Sequence, residues 1–371
     1  MSKQIRIAIF ADSLPPSVGG VEQTYTMLAE TLQKRNISFQ FFSPVKPGDD
    51  IPWHDQVQGM PYVPLIVNPQ YRVGLPLQNK LYKQLDEFEP TIIHVSSPSI
   101  VGMLAARYAK QYNIPAAAVY HTDFVGYLKY YKMEFLETPM WAYLRWFYTQ
   151  FDLVLAPSDT TKKQIEAEGI NPVNLWKRGI DTNLFHPLRA PKKSSQYPVL
   201  LYVGRLSKEK NLFFLSECYK KLNAKEKVCD MVIVGDGDER KDLERQLPDV
   251  TFTGYLKGKK LARAYASADI FTFPSGTETF GNVLLEAMAS GLPVVTVNKG
   301  GARDLVKHGL TGFISSLDDI EEFTEYVRML VVDEEKRVAY GNSASEYAKS
   351  YDWDSINGQL LEYYQSLITN V

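Results

Sequence analysis

The sequence predicts an α/β protein built from two doubly wound parallel-sheet domains. Three observations carry this prediction. The chain has 371 residues, more than one ordinary core fills, which favours two domains. Short apolar runs alternate with helical stripes from end to end, the pattern of parallel strands joined by helices. Near residues 186–197 the stretch "FHPLRAPKKSSQYP" lacks apolar periodicity and is rich in Pro, Lys and Ser, after which a second alternating series begins.

The first series opens with "IRIAIFA", an apolar run suited to a strand buried on both faces. "DSLPPSVGG" fits neither regular element, and "VEQTYTMLAETLQKRN" places apolar residues at 21, 25, 28, 29 and 32, a helical stripe. Strands follow at "ISFQFFSP", "PTIIHVSS", "IPAAAVYHT" and "FDLVLAPS", with helices at "SIVGMLAARYAKQYN" and "DTTKKQIEAEG". The second series runs "VLLYVGRL", "DMVIVGDG", "VTFTGYL", "IFTFPS", "PVVTVNK" and "GFISS" as strands. The expected domains are therefore residues 1–190 and 197–351, with the linker at about 186–197. Ligands of such sheets bind at the carboxyl ends of strands, here the loops after Ala11, Val95, Tyr120 and Val203.

Composition excludes several classes. Hydrophobic residues make up 45% and charged residues 23%, values of a soluble globular chain. A formal charge of −2 carries no basic excess, so no nucleic-acid partner is expected. Cys218 and Cys229 have no metal-ligand spacing around them, so neither a zinc site nor a disulfide framework is expected. The first apolar run stops at Asp12, too short for a signal sequence, and no stretch approaches the roughly 20 apolar residues of a membrane span. The expected location is cytoplasmic.

Several loops carry chemistry. Gly19 and Gly20 stand where a helix starts, so backbone amides and the helix dipole there could meet an anion; a plain strand-to-helix turn is the alternative. The pair does not form a G-x-G-x-x-G, and NAD gains nothing from it. "VGRLSKEKN" places Arg205 and Lys210 after a buried strand, a fork and a point charge that could neutralise a diphosphate. Lys208 suits the solvated charge of that loop. Gly235, at the end of "VIVGDGDER", suits close approach of a base or ribose to the backbone, whereas Asp236 and Asp238 suit turn formation. His121, at the carboxyl end of a strand, could donate to a substrate hydroxyl or move a proton, with Asp123 orienting it, or could be a histidine satisfied by backbone.

Residues 124–151 hold eleven aromatics in 28 positions, against about three from the 12% average. Tyr127 and its neighbours stand beside Lys129, Lys132 and Arg145, a mixture suited to lipid headgroups or a long amphipathic acceptor. Glu134, Glu137 and Pro139 oppose that reading, because they leave the segment nearly neutral and broken.

In this order and at these distances, Gly19-Gly20, His121, Arg205, Lys210 and "ETFGNVLLEAMASGLPVV" resemble the retaining glycosyltransferases of family 4, over nearly the whole length. The most specific element is Glu278, seven residues, Glu286, around Phe280-Gly281. The resemblance implies the GT-B fold, two Rossmann-like doubly wound domains facing a central cleft, with a final helix, 352–371, packing back on the first domain. It implies that Arg205 and Lys210 hold the donor diphosphate, Glu286 the ribose hydroxyls and Glu278 the donor-sugar hydroxyls. Backbone amides of Thr279, Phe280 and Gly281 would add to the phosphate and sugar site. Gly20 would close over the phosphates, and His121 would meet the sugar near the reacting carbon.

The expected activity is therefore that of a hexosyltransferase: transfer of a hexose from a UDP- or GDP-sugar, with retention, giving an α-linkage and needing no metal or other cofactor. Developing charge on the leaving diphosphate would be stabilised by fixed cations and amides instead. "HTDF" with the aromatic segment, and "NPQYRVGLP" with Tyr71 and Arg72, look most like the members that act on lipids, so a lipid or glycolipid acceptor and peripheral contact with the inner face of the plasma membrane are expected. Two other readings fit the fold: a sugar-nucleotide epimerase, which would convert donor alone, and a non-enzymatic sugar-nucleotide sensor, which would have lost site residues that this chain retains.

Overall fold

The computed structural model of the protein describes residues 4–17, 19–65, 68–75, 77–187 and 195–369. Most of the expected linker lies outside them. The chain divides into two compact units, the first comprising Met1–Val125, Glu134–Arg178 and Trp353–Val371, the second Gly126–Met133 and Gly179–Asp352.

In the first unit, β1 (Arg6–Phe10), α1 (Gly20–Lys34), β2 (Ser38–Ser43) and β3 (Val57–Gly59) precede an antiparallel ribbon, β4 (Tyr62–Leu65) and β5 (Asn68–Gly74). There follow α2 (Gln78–Phe88), β6 (Ile92–Val95), α3 (Ile100–Tyr112), β7 (Ala116–Val119), α4 (Phe124–Tyr130), α5 (Glu137–Tyr148), β8 (Leu153–Ala156), α6 (Asp159–Ala167) and β9 (Val173–Leu175). Residues 126–133, most of α4 and the turn after it, cluster with the second unit. Among the described residues the main sheet is parallel with order β3-β2-β1-β6-β7-β8-β9.

Period-two alternation in β1 explains why the whole strand is apolar. Ile7 and Ile9 face a core with Tyr25, Leu28, Ala29 and Leu32 of α1, whereas Ala8 and Phe10 face a second core with Val101 and Ala105 of α3 and Leu144 and Phe147 of α5. Each fully buried Leu or Phe contributes roughly 1.5–3 kcal/mol. Ser99 caps α3, its Oγ accepting from the Gly102 amide at 3.2 Å.

The second unit runs β10 (Val199–Val203), α7 (Leu212–Leu222), β11 (Asp230–Val234), α8 (Arg240–Gln246), β12 (Thr251–Gly254), α9 (Gly258–Ala266), β13 (Ile270–Phe273), α10 (Asn282–Ala289), β14 (Val294–Val297), β15 (Gly312–Ser315), α11 (Ile320–Val332) and α12 (Glu334–Ala348). Its sheet, again of the described residues, is parallel with order β12-β11-β10-β13-β14-β15. The order reverses between β10 and β13, and in the first sheet between β1 and β6. At such switch points neighbouring loops turn to opposite faces and leave room for a ligand.

The last helix, α13 (Trp353–Thr369), belongs to the first unit. Leu360, Leu361, Tyr364 and Ile368 join the core beside α1. Asn357, fully buried, donates to Thr31 Oγ1 at 2.9 Å and Met27 O at 3.3 Å and accepts from Trp176 Nε1 at 3.3 Å. A buried amide satisfied on both ends fixes the register of one helix on another.

Candidate active site

In the second unit the β10 and β13 loops converge because their strands are neighbours. Lys210 follows β10 and Glu278 follows β13, and Lys210 Nζ donates to Glu278 Oε1 in an ion pair whose side chains are only 11% and 25% exposed. Burial alone would lower the Lys210 pKa; Glu278, Tyr127 and Glu209 outweigh it and hold the ammonium above its ordinary value. The Glu209 main-chain carbonyl lies near Ser275 Oγ at 3.3 Å and Thr277 Oγ1 at 3.4 Å, tying the two loops together. Arg205 stays exposed, its carbonyl accepting from the Tyr202 hydroxyl at 3.0 Å. Lys208 is exposed as expected.

Tyr127 belongs to this group as well, its phenol pushed up to about 12 by burial, against the lowering field of Lys210. Tyr131 donates to Glu209 Oε2 at 3.4 Å.

Gly281 caps α10 at φ 97°, and a Cβ there would stand 2.9 Å from the Ala302 Cβ. Thr279 is half-buried, while Phe280 is buried with its ring 6.1 Å from that of Tyr351. Glu286 sits within α10, buried but 6% exposed, and accepts from the Tyr265 hydroxyl at 2.8 Å. Burial raises its pKa to about 7, partly countered by that hydrogen bond. At the end of β11, Gly235 has φ 137° and a Cβ would fall 1.9 Å from Gly204 O, so only glycine fits. Asp236 forms the turn, accepting from the Gly237 amide and from Arg240, both at 2.8 Å.

The first unit gathers a different group. His121 follows β7; its Nδ1 accepts from Arg178 Nη2 at 2.9 Å and its Nε2 lies 3.0 Å from the Tyr25 hydroxyl. Burial, then the Arg178 and His94 fields, hold its pKa well below the ordinary value, so the ring is neutral. Asp123 lies 3.5 Å from the Tyr120 hydroxyl, and Arg178 and Tyr25 supply the bonds on the His121 nitrogens. Gly20 opens α1, its carbonyl accepting from Thr24 Oγ1 at 2.6 Å. A Cβ on Gly19 would meet Glu22 Oε2 at 2.6 Å, so the acid of the first turn lies against this end of the helix dipole.

Of the residues expected at the acceptor, Arg72 is exposed with its guanidinium 4.6 Å from the Tyr62 ring centroid. Lys132 is exposed at φ 56°. The side chains of Tyr71 and Lys129 lie outside the described residues. The aromatic segment divides by helix geometry: Trp141, Leu144, Phe147 and Tyr148 form the buried face of α5, whereas Trp146 is 51% exposed and Phe135, just before it, 77%. No described helix is long and apolar enough to cross a membrane.

Sequence reasoning missed Tyr25, Arg178 and Tyr364, which meet His121 and His94. Tyr25 stood in the apolar stripe of α1 and was legible only as core. His94 is bonded to two tyrosine hydroxyls.

Residues 18–184 match Glycosyltransferase Family 4 and residues 188–347 match Glycosyl transferases group 1. A GDP-mannose-dependent alpha-mannosyltransferase of Corynebacterium glutamicum is 32% identical over 99% of this chain and 90% of that one. An alpha-monoglucosyldiacylglycerol synthase of Streptococcus pneumoniae is 26% identical over 83% and 74%. The structure of Anabaena Alr3699/HepE in complex with UDP superposes with a TM-score of 0.78 at 20% identity, covering 98% of this chain and 100% of that one. Two parallel-sheet units with their loops gathered at the switch points, and likeness at this identity across both of them, have one reading: the chain is a glycosyltransferase of the GT-B fold and belongs to glycosyltransferase family 4.

Proposed function

We propose that this enzyme moves a hexose from a GDP- or UDP-sugar to a hydroxyl of a lipid or glycolipid, with retention, forming an α-linkage. The observation that carries this reading is the buried Lys210–Glu278 pair joining the loops of β10 and β13. An ammonium held above its ordinary pKa is a fixed positive charge. A diphosphate leaving the anomeric carbon builds negative charge where such a cation, with Arg205, stabilises it. Glu278, released from Lys210 as phosphate takes that partner, accepts from sugar hydroxyls, and Glu286 accepts from the ribose. The amides of Thr279, Phe280 and Gly281 and the close backbone at Gly235 line the nucleotide sugar, while Gly19 and Gly20 meet the phosphates once Glu22 turns aside.

The two roles are divided along the chain, although residues 126–133 and 179–190 cluster with the second unit. Residues 1–190 with the last helix serve the acceptor, and 197–351 serve the donor. The curated relatives named for GDP-mannose and for monoglucosyldiacylglycerol support this donor and acceptor chemistry. Arg205 and Lys210 act in place of a metal. Asp123, Tyr127, Lys132 and Arg72, with exposed Phe135 and Trp146, suit an acceptor whose headgroup stays at a membrane surface, and the enzyme works as a peripheral cytoplasmic protein.

The test is incubation with GDP-mannose or UDP-glucose and lipid vesicles, followed by NMR of the new anomeric centre. An α-linked glycolipid is expected. A β-linked product, or conversion of donor without acceptor, would overturn the reading.

A further inference from the structure

We propose that Tyr25, His94 and Tyr364 are positioning residues: with Arg178 they form a directed chain of hydrogen bonds that locks His121 and His94 in opposite neutral tautomers and ends on α13. The proposal rests on the reading of His121 as the residue that meets the donor sugar.

Direction follows from the first link. Arg178 can only donate, so Nδ1 of His121 accepts, at 2.9 Å, and its proton sits on Nε2. That N–H donates to the Tyr25 oxygen at 3.0 Å. The Tyr25 hydroxyl proton then goes to His94 Nε2 at 2.9 Å. His94 must carry its own proton on Nδ1, where it donates to the Tyr364 hydroxyl oxygen. Tyr25, His94 and Tyr364 are each 0% exposed, so no water competes along the two links of His94.

Packing holds the same rings. Trp176 stands edge-on to Tyr25, His94 and His121, with centroids 6.1, 5.4 and 6.1 Å away, and the Arg178 guanidinium lies 4.8 Å over its ring. Burial, reinforced by Arg178, pushes His94 down to about 3, so neither imidazole charges at neutral pH. Both nitrogens of His121 are engaged, and rotating the ring would break two bonds. Orientation, rather than proton transfer, is what this histidine contributes.

The experiment records ring spectra of 15N-histidine protein and steady-state kinetics with GDP-mannose and UDP-glucose for wild type, Tyr25→Phe and Tyr364→Phe. Signals are assigned by their loss in His94→Asn and His121→Asn. Wild-type His94 should be protonated on Nδ1 and His121 on Nε2. In Tyr25→Phe the His94 tautomers should mix, and kcat should fall about tenfold, the size of one net hydrogen bond, with donor KM within twofold. Tyr364→Phe, two residues beyond Tyr25 in the hydrogen-bonded series, should perturb the His121 signals and lower kcat in the same sense. A wild-type His94 protonated on Nε2, or variants that retain kcat and both tautomers while only their melting temperature falls, would overturn the proposal. Failure of the transferase reading looks different: ring spectra as stated, with no transfer by the wild type.

Discussion

Replacing Glu286 by Gln should stabilise the enzyme without its donor and weaken its hold on the donor, and both effects should depend on pH. The carboxyl is buried within α10 with the Tyr265 hydroxyl as hydrogen-bond donor at 2.8 Å, and burial raises its pKa from 4.5 to about 7. A shift of that size corresponds to roughly 3 kcal/mol, on the order of 1.4 kcal/mol per unit. Because the folded pKa is raised, the stabilising proton is present below the ordinary carboxyl range. Its contribution is lost as pH rises through about 7. Gln keeps the shape and the Tyr265 bond but never ionises. Denaturant unfolding without nucleotide should therefore show the variant gaining on wild type between pH 5 and 8, by roughly 2–3 kcal/mol. At pH 8 the variant should bind nucleoside diphosphate about 10–100-fold more weakly, since hydrogen bonds to a charged group are the stronger ones. Wild-type affinity should fall as pH drops below 7 while that of the variant stays level. A stability gap that does not widen with pH would refute the assignment of a buried, raised carboxyl at this position.

Lys210→Ala should lower kcat by about 100-fold or more while the fold survives, measured by transfer rate and circular dichroism; Arg205→Ala should act in the same direction, and near-normal turnover in both removes the diphosphate role. Saturating EDTA should leave the rate unchanged if these cations replace a metal, and a loss restored by magnesium would reverse that conclusion. Phe135→Ser with Trp146→Ser should weaken co-sedimentation with anionic vesicles and leave melting unchanged, because both side chains are exposed. Leu360→Ala, at 0% exposure on α13, should cost about 2–5 kcal/mol by chemical denaturation.

Most strands and helices along the chain were legible because buried parallel strands are largely apolar, as β1 and β13 are, and helices such as α1 repeat every 3.6 residues; the edge strands β3 and β9 and the β4–β5 ribbon, which lack such a run, were not. Arg205 and Lys210 stood out as cations after a buried strand, while the weight given to Glu278 and Glu286 came from their resemblance to the family's spacing. Half of the aromatic segment was not: one run of Tyr, Trp and Phe suits a core face and a lipid face equally, and only the rotation of α5 separates Phe147 from Trp146. Local pattern was enough for the class, the two alternating series and the polar groups at the strand ends. Tertiary structure alone decided what those groups touch. The Lys210–Glu278 pair spans 68 residues, and the His94–Tyr364 bond spans 270. Contacts at such separations depend on the strand order of a sheet and the docking of a distant helix, which local periodicity does not encode.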